Sequence, residues 1–182
     1  MALEFTTSYL SDSISLFRSY KKLAERALEQ VADDQLLYTQ DEECNSIAII
    51  MKHLAGNMRS RWTDFLTSDG EKPSRNRDSE FEAPARTRGE LMKDWEAGWA
   101  CLLGTLESLN DADLTRRVLI RGEAHSAMQA INRQLCHYSY HVGQIVLLAK
   151  QLRKGEWTSL TVPRNKSADY NQRVLNREIS QR

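Results

Sequence analysis

Two of the four histidines in this 182-residue chain stand four positions apart, at His137 and His141. Residues i and i+4 of an α-helix lie on one face, so both imidazoles can reach one divalent metal ion at about 2.0–2.1 Å. Gln134 and Gln144 extend the same line of side chains, and a polar stripe inside a protein needs hydrogen-bond or metal partners. The pattern indicates a metal site, but an HxxxH pair without an adjacent Glu is also compatible with a helix that binds no metal.

A third histidine, His53, is a candidate for the third ligand. It lies beside the apolar stripe of an earlier predicted helix, and Asn57 and Ser60 continue its line. A lone histidine there is also commonly a hydrogen-bonded core residue, so the sequence leaves both interpretations open. Three imidazoles from two helices would leave coordination positions free for water or substrate, as in catalytic sites. Cys136 points away from the histidines around its helix, and Cys44 is about two turns from His53, so both are poor fourth ligands.

Four segments with the 3.6-residue hydrophobic period of amphipathic helices would carry these side chains. The second begins at a capping Asn45 or Ser46, and the third begins at Thr87, where Glu90 completes a capping box. The predicted helices span residues 3–31, 46–66, 87–109 and 126–152. The apolar stripe of the first comprises Leu16, Tyr20, Leu23, Ala24, Ala27 and Val31.

The connections between these helices differ in length. The link between residues 66 and 87 spans about 20 residues, which at about 3.3 Å per extended residue could cross a whole bundle. Helices two and three therefore need not be antiparallel neighbours, and we predict an all-α four-helix bundle with a long crossover between helices 2 and 3. The segment LTRRVLIRG could form a short strand pair before helix four. Gly155 is predicted to end helix four, and the tail from about residue 155 is predicted to be irregular.

The composition restricts the function classes. Lys plus Arg and Asp plus Glu are balanced at 25 each, whereas nucleic-acid coating or membrane-surface binding needs an excess of positive charge. No apolar run approaches the roughly 20 residues of a membrane span, and the N-terminus lacks a signal-peptide pattern. Three cysteines without CxxC spacing do not suggest a disulfide framework. We predict a single cytoplasmic domain over residues 1–182, with neither nucleic acid nor membrane as a partner.

The chain resembles an uncharacterised branch of the DinB-like (YfiT-like) superfamily in three segments, SIAIIMKHLAGNMRSRWTDFLTSDGEKPSRNRD, AINRQLCHYSYHVGQIVLLAK and EWTSLTVPRNKS. The resemblance covers nearly the whole chain. It implies a four-helix bundle with a long crossover and a divalent metal held by three histidines, which here are His53, His137 and His141. It also implies a homodimer and, as in some relatives, thiol S-transferase or isomerase activity with a low-molecular-weight thiol.

These features lead to one principal hypothesis for the function. Three neutral imidazoles leave a bound metal its full positive charge, so it would act as a Lewis acid on water or a thiol. Nitrogen ligands suit Zn or Ni, with Fe or Co as alternatives. We expect a metal-dependent thiol S-transferase or isomerase that acts on a small molecule. The candidates for orienting its ligands, water or substrate are Asn57, Ser60, Gln134 and Gln144.

Two alternative functions stay open. A metal-dependent hydrolase would need a general base, for which Asp64 and the acidic run at 41–43 are weak candidates. A non-catalytic, stress-associated metal-binding bundle would need none. Arg59 and Arg61 could reach a carboxylate-bearing thiol, although surface charges are the simpler interpretation of both.

Overall fold

The computed structural model describes residues 8–84 and 86–180. Within them the protein is mostly helical, with five α-helices and a small antiparallel sheet of two strands. The helices are α1 Tyr9–Leu28, α2 Ile47–Trp62, α3 Arg88–Ser108, α4 Ala127–Arg153 and α5 Ser167–Leu175. The strands are β1 Arg117–Ile120 and β2 Glu123–Ser126. None of the helices in this part of the chain has the length and apolarity that crossing a membrane requires.

Side-chain caps begin α2, α3 and α4, and those of α2 and α3 are the predicted ones. The Ser46 hydroxyl accepts a hydrogen bond from a backbone N–H in the first turn of α2. Thr87 and Glu90 form the predicted capping box at α3, and Ser126 forms a second one with Gln129 at α4. Each cap satisfies backbone donors that have no partner inside the first helical turn.

The helix ends and the tail differ from the prediction. α1 ends at Leu28 and α2 at Trp62, before the predicted residues 31 and 66, and the predicted start of helix one near residue 3 lies outside the described residues. Lys154 has a φ of 48° where α4 ends, so Lys154 rather than Gly155 takes the positive φ at this helix end. The tail is not irregular throughout, because α5 forms within it.

The predicted apolar stripe of α1 is buried or half-buried except at Leu16. Leu16 is 47% exposed, whereas Phe17 is completely buried. The Phe17 ring packs 6.2 Å from the ring of Trp62 and 5.8 Å from that of Tyr138, so the helix turns its largest apolar side chain toward the aromatic core. The periodicity of α1 alone does not determine how the helix is rotated about its own axis. Its contacts with the other helices determine this rotation.

Residue pairs between α2 and α3 show that these two helices run parallel. Ala55 lies against Gly98, where a Cβ would be 3.0 Å from the Ala55 Cα. Further along both helices, the Thr105 hydroxyl donates to the Trp62 carbonyl at 2.8 Å. Since the paired residues advance together, the connecting segment (residues 63–87) has to return along the length of the helices.

The first and fourth helices complete the packing around α2 and α3. α1 contacts α3 and α4, and α4 also contacts α2. Arg18 pairs with Glu107 at 2.6 Å and Lys21 with Glu96 at 2.9 Å, so α1 and α3 are antiparallel. α2 and α4 meet through polar side chains, which form the site described below.

Asp69 attaches the connecting segment to the β-hairpin. Its carboxylate accepts hydrogen bonds from the backbone N–H groups of Glu71 at 2.7 Å, Arg121 at 2.8 Å and Gly122 at 2.6 Å. Arg121 and Gly122 have φ values of 56° and 78°, as a two-residue hairpin turn requires. A strand pair thus forms here as predicted, with β1 inside LTRRVLIRG and β2 in the residues that follow it. The hairpin holds the connecting segment, whose short helical turn at Asp78–Phe81 contacts α2.

The tail packs against the end of α1 before it becomes exposed. Gln30 accepts from the Thr158 N–H at 2.8 Å and donates to its carbonyl at 3.1 Å. Trp157 and Leu160 pack against the hydrophobic core. None of the described residues from 166 to 180 is buried.

Candidate metal centre

The structure brings three of the four histidines together between α2 and α4. The Nε2 atom of His137 lies 3.3 Å from Nε2 of His53 and 3.1 Å from Nε2 of His141. His53 and His141 are buried and His137 is half-buried. His125 stays apart in β2, with its Nδ1 3.1 Å from the carbonyl of Glu123. The three clustered histidines lie close enough to bind one metal ion.

Gln134 and Gln144 orient the two histidines of α4. The Gln134 side-chain oxygen lies 3.2 Å from Nδ1 of His137, and that of Gln144 lies 2.7 Å from Nδ1 of His141. Because an amide oxygen only accepts, each imidazole carries its proton on Nδ1 and leaves a lone pair on Nε2. The polar residues of this stripe therefore fix the orientation and the protonated nitrogen of the two histidines.

Glu80, from the connecting segment, orients His53 in the same manner. Nδ1 of His53 donates to Glu80 at 2.9 Å, and Arg75 donates to both carboxylate oxygens at 2.8 and 2.7 Å. Burial raises the pKa of the Glu80 carboxyl, but the hydrogen bonds from His53 and Arg75 outweigh burial and hold the pKa below its usual value. Glu80 is therefore ionised at neutral pH, and a carboxylate behind an imidazole is the usual support of a metal-binding histidine.

Glu80 is a candidate functional residue that the sequence pattern did not reveal. The acidic residues considered instead, Asp64 and the run at 41–43, do not border the histidines. The sequence feature that could have indicated a closely packed neighbour such as Glu80 is Gly56, which lies one turn after His53 in the interior of α2. A Cβ at Gly56 would lie 2.9 Å from Cδ of Glu80, so only glycine leaves room for this carboxylate.

The geometry of the three histidines fits a divalent metal ion. With the protons on Nδ1, the Nε2 lone pairs repel one another unless a cation lies among them. Two nitrogens bound to one zinc ion at about 2.0–2.1 Å and about 90–110° apart are separated by about 2.8–3.4 Å. Two of the three Nε2 separations, 3.1 and 3.3 Å, fall in this range, and all three ligand atoms lie within 4.8 Å of one another.

Burial keeps the α4 imidazoles in the form that binds metals. Burial, together with the nearby His141 and His53, lowers the pKa of His137 from 6.5 to about 3. Burial also lowers the pKa of His141. Since neutral imidazole is the metal-binding form, neither side chain has to lose a proton to bind a metal at neutral pH.

A cavity of about 530 Å³ borders the three histidines. Asn57 and Tyr140 also line it, and Asn57 accepts a hydrogen bond from the Tyr138 hydroxyl at 2.9 Å. No Asp or Glu is among the described residues that line this cavity. Its five arginines are Arg61, Arg75, Arg77, Arg121 and Arg133.

Ser60 and Arg61 are not where the sequence suggested. The Ser60 hydroxyl donates to the Gly70 carbonyl at 3.0 Å and accepts from the Lys72 N–H at 3.0 Å. It borders a separate, larger cavity of about 770 Å³ that contains none of the histidines, so its position suits anchoring of the connecting segment. Arg61 is 3% exposed, so its interpretation as a surface charge was wrong, whereas Arg59 is exposed as expected.

Residues 4–166 match the model of a family described as a protein of unknown function, DUF1572, and the chain belongs to this family. No curated protein matches the chain. The family description assigns no activity, so the geometry of the site has to support any proposed function.

Proposed function

We propose that the protein is a divalent-metal-dependent enzyme with an open three-histidine site. The observation that supports this proposal is the convergence of Nε2 from His53, His137 and His141, while an oxygen engages every Nδ1. We further propose a four-helix bundle of the DinB-like type. The parallel α2 and α3, joined by the long connecting segment, support a bundle with a crossover.

As the reaction we propose a thiol-dependent S-transfer or isomerisation, with Zn or Ni as the metal. A divalent ion held by three imidazoles would act as a Lewis acid that favours the deprotonated form of a thiol. In the transfer, the thiol sulfur bonds to an electrophilic carbon of the substrate. The leaving group departs with the bonding electron pair, and the thiol proton passes to solvent. Glu80, Gln134 and Gln144 hold the imidazoles in place for this chemistry.

A hydrolase agrees less well with the cavity. A metal-bound water needs a general base within hydrogen-bond reach. The described lining of the histidine cavity holds no carboxylate, and Asp64 borders the other cavity. A homodimer, a small-molecule substrate and a cytoplasmic location belong to the proposal through the superfamily resemblance and the composition, and sedimentation of the purified protein tests the dimer.

Metal analysis of histidine variants tests the site. We expect about one divalent ion per chain in the wild type and less than about a tenth of that in His53→Ala and His137→Ala, because each variant removes one of three ligands. His125→Ala is the matched control, since His125 lies outside the cluster, and its metal content should equal that of the wild type. Full occupancy in both cluster variants would overturn the site.

Turnover tests the reaction separately from the site. Metal-loaded protein is incubated with several low-molecular-weight thiols and an aryl halide, and release of halide is followed. We expect thiol-dependent turnover that His137→Ala abolishes. A fully metal-loaded protein without turnover for any of the thiols would refute the S-transferase proposal and leave the metal site intact.

A further inference from the structure

We propose that the histidine cavity binds an anionic group of the substrate, a carboxylate or a phosphate, with Arg61 as its principal partner. This inference rests on the proposed function, because it specifies the substrate class of the same site. It comes from the charges around the cavity, which are separate from the histidine geometry.

Arg61 is a buried cation with too few acceptors. It borders the histidine cavity and is 3% exposed. Among the described residues, its Nε and Nη1 atoms have no hydrogen-bond partner, and its ion pair with Glu71 spans 3.8 Å. Gly70 packs directly over the guanidinium, since a Cβ there would be 2.6 Å from Nη1. Burying a cation without its full set of partners is costly, so an anion in the adjacent cavity stabilises Arg61.

Glu71 does not neutralise Arg61 by itself, because other arginines share this carboxylate. Arg75 lies 3.1 Å and Arg121 lies 3.2 Å from Glu71, both closer than Arg61. Glu80 is likewise engaged by Arg75 at 2.7 Å. These two carboxylates pair with Arg61, Arg75 and Arg121, whereas Arg77 and Arg133 make no ion pair among the described residues, so positive charge is in excess around the cavity.

Arg133 extends the positive surface to the mouth of the cavity. It is exposed, and it makes no ion pair within residues 8–84 and 86–180. Arg133 and Arg61 both line the cavity that the three histidines border. A guanidinium presents parallel N–H groups that match the oxygens of a carboxylate or a phosphate. An anionic group between these arginines would hold the rest of a small molecule beside the three Nε2 atoms.

Calorimetric titration of the full chain with inorganic phosphate and, separately, with succinate tests the inference. Both metal-loaded and chelator-treated protein are titrated, since an anion can also bind a metal directly. We expect saturable binding in both forms, weakened about ten- to hundredfold in Arg61→Gln by the loss of a charged hydrogen-bond donor. Tighter binding of phosphate or of succinate assigns the anion class, and either result supports the inference.

Arg59→Gln is the matched control, because Arg59 is exposed, lies two positions earlier on α2 and pairs with Asp94 beside the other cavity. Its anion affinity should equal that of the wild type. Arg133→Gln provides a second test at an exposed position, where folding is not at risk, and should weaken binding about tenfold. If Arg61→Gln does not fold, as judged by circular dichroism, Arg133→Gln and Arg61→Lys decide the outcome.

Two results would overturn the inference: no saturable binding of either anion to the wild type, or wild-type affinity in the folded arginine variants. The metal analysis and the anion titrations test the metal site and the anion site separately. If the chelator-treated protein binds anions but the histidine variants keep their metal, the metal site is wrong and the anion site stands. If the metal content depends on the histidines but no anion binds, only the anion inference fails.

Discussion

The two nitrogens of each clustered histidine have different roles, which their neighbours assign. Nδ1 donates to an oxygen, while Nε2 faces the other two rings. His53 differs from its partners because its oxygen belongs to a carboxylate, Glu80, which Arg75 holds by both oxygens. A carboxylate behind an imidazole fixes its orientation and supports metal binding, so His53 should be the strongest of the three proposed ligands.

The substitution Glu80→Gln tests this support. We expect the affinity for a divalent metal to fall about ten- to hundredfold, because a neutral amide is a weaker acceptor for His53 and leaves Arg75 partly unpaired. Competition with a chromophoric chelator measures the affinity. Glu82→Gln is the control at an exposed position two residues away, and it should bind as the wild type does. Unchanged affinity in Glu80→Gln would show that the carboxylate does not support the metal.

Helix α2 has almost no solvent face, and this explains how it contributes to both cavities. Within Ile47–Trp62 only Arg59 is exposed, because α3, α4 and the connecting segment all pack against the helix. Polar residues on such a helix need partners from other elements. His53 hydrogen-bonds to Glu80 and Ser60 to Gly70, whereas Arg61 has only a long ion pair with Glu71.

Two glycine substitutions on different helices should have opposite consequences. Alanine normally stabilises a helix interior by about 0.5–1 kcal/mol relative to glycine, and Gly143→Ala on α4 should show this gain, since a Cβ there meets no atom within 4 Å. Gly56→Ala should gain no stability and should lose metal affinity, because its Cβ displaces Glu80. Thermal unfolding and chelator competition measure both effects. An equal gain in both variants, with metal affinity preserved, would refute the role of Gly56.

The site depends on three separate parts of the protein. α2 and α4 supply the histidines, and the connecting segment supplies Glu80 and Arg75. Asp69 and the hairpin hold that segment in position. Folding therefore buries imidazoles that the unfolded chain exposes to water, and this links the stability of the metal-free protein to pH.

The metal-free protein should lose stability as the pH falls from 7 to 5. His137 has a pKa of about 3 when folded and 6.5 as its ordinary value. Between these values the unfolded chain binds more protons than the folded one, so stability rises with pH through this window and is lost as the pH falls. Melting temperatures of chelator-treated protein at pH 7, 6 and 5 measure the slope.

His137→Gln should flatten this slope, and His125→Gln should leave it unchanged because His125 lies outside the cluster. The buried carboxylates do not interfere above pH 5, since the pKa of Glu80 lies below its usual value. A slope that is the same in the wild type and in His137→Gln would show that burial of His137 is not its source.

The sequence alone was sufficient for those features that depend on residues near one another in the chain. The caps at Ser46 and Thr87, the course of α4 and the strand pair are as predicted, because side-chain periodicity and capping act within one or two turns. The stacking of His137 and His141 is local for the same reason. The superfamily resemblance, rather than the spacing, placed His53 with this pair.

Only the tertiary structure decided which polar residues meet. Glu80 reaches His53 across 27 positions of sequence through a segment without helical periodicity, and no spacing rule covers such a contact. Ser60 and Arg61 are adjacent in sequence but border different cavities, and the burial of Arg61 depends on how Gly70 packs over it. The burial and charge of a side chain depend on the packing of distant elements, and for this reason the positive cavity beside the histidines is visible only in the folded protein.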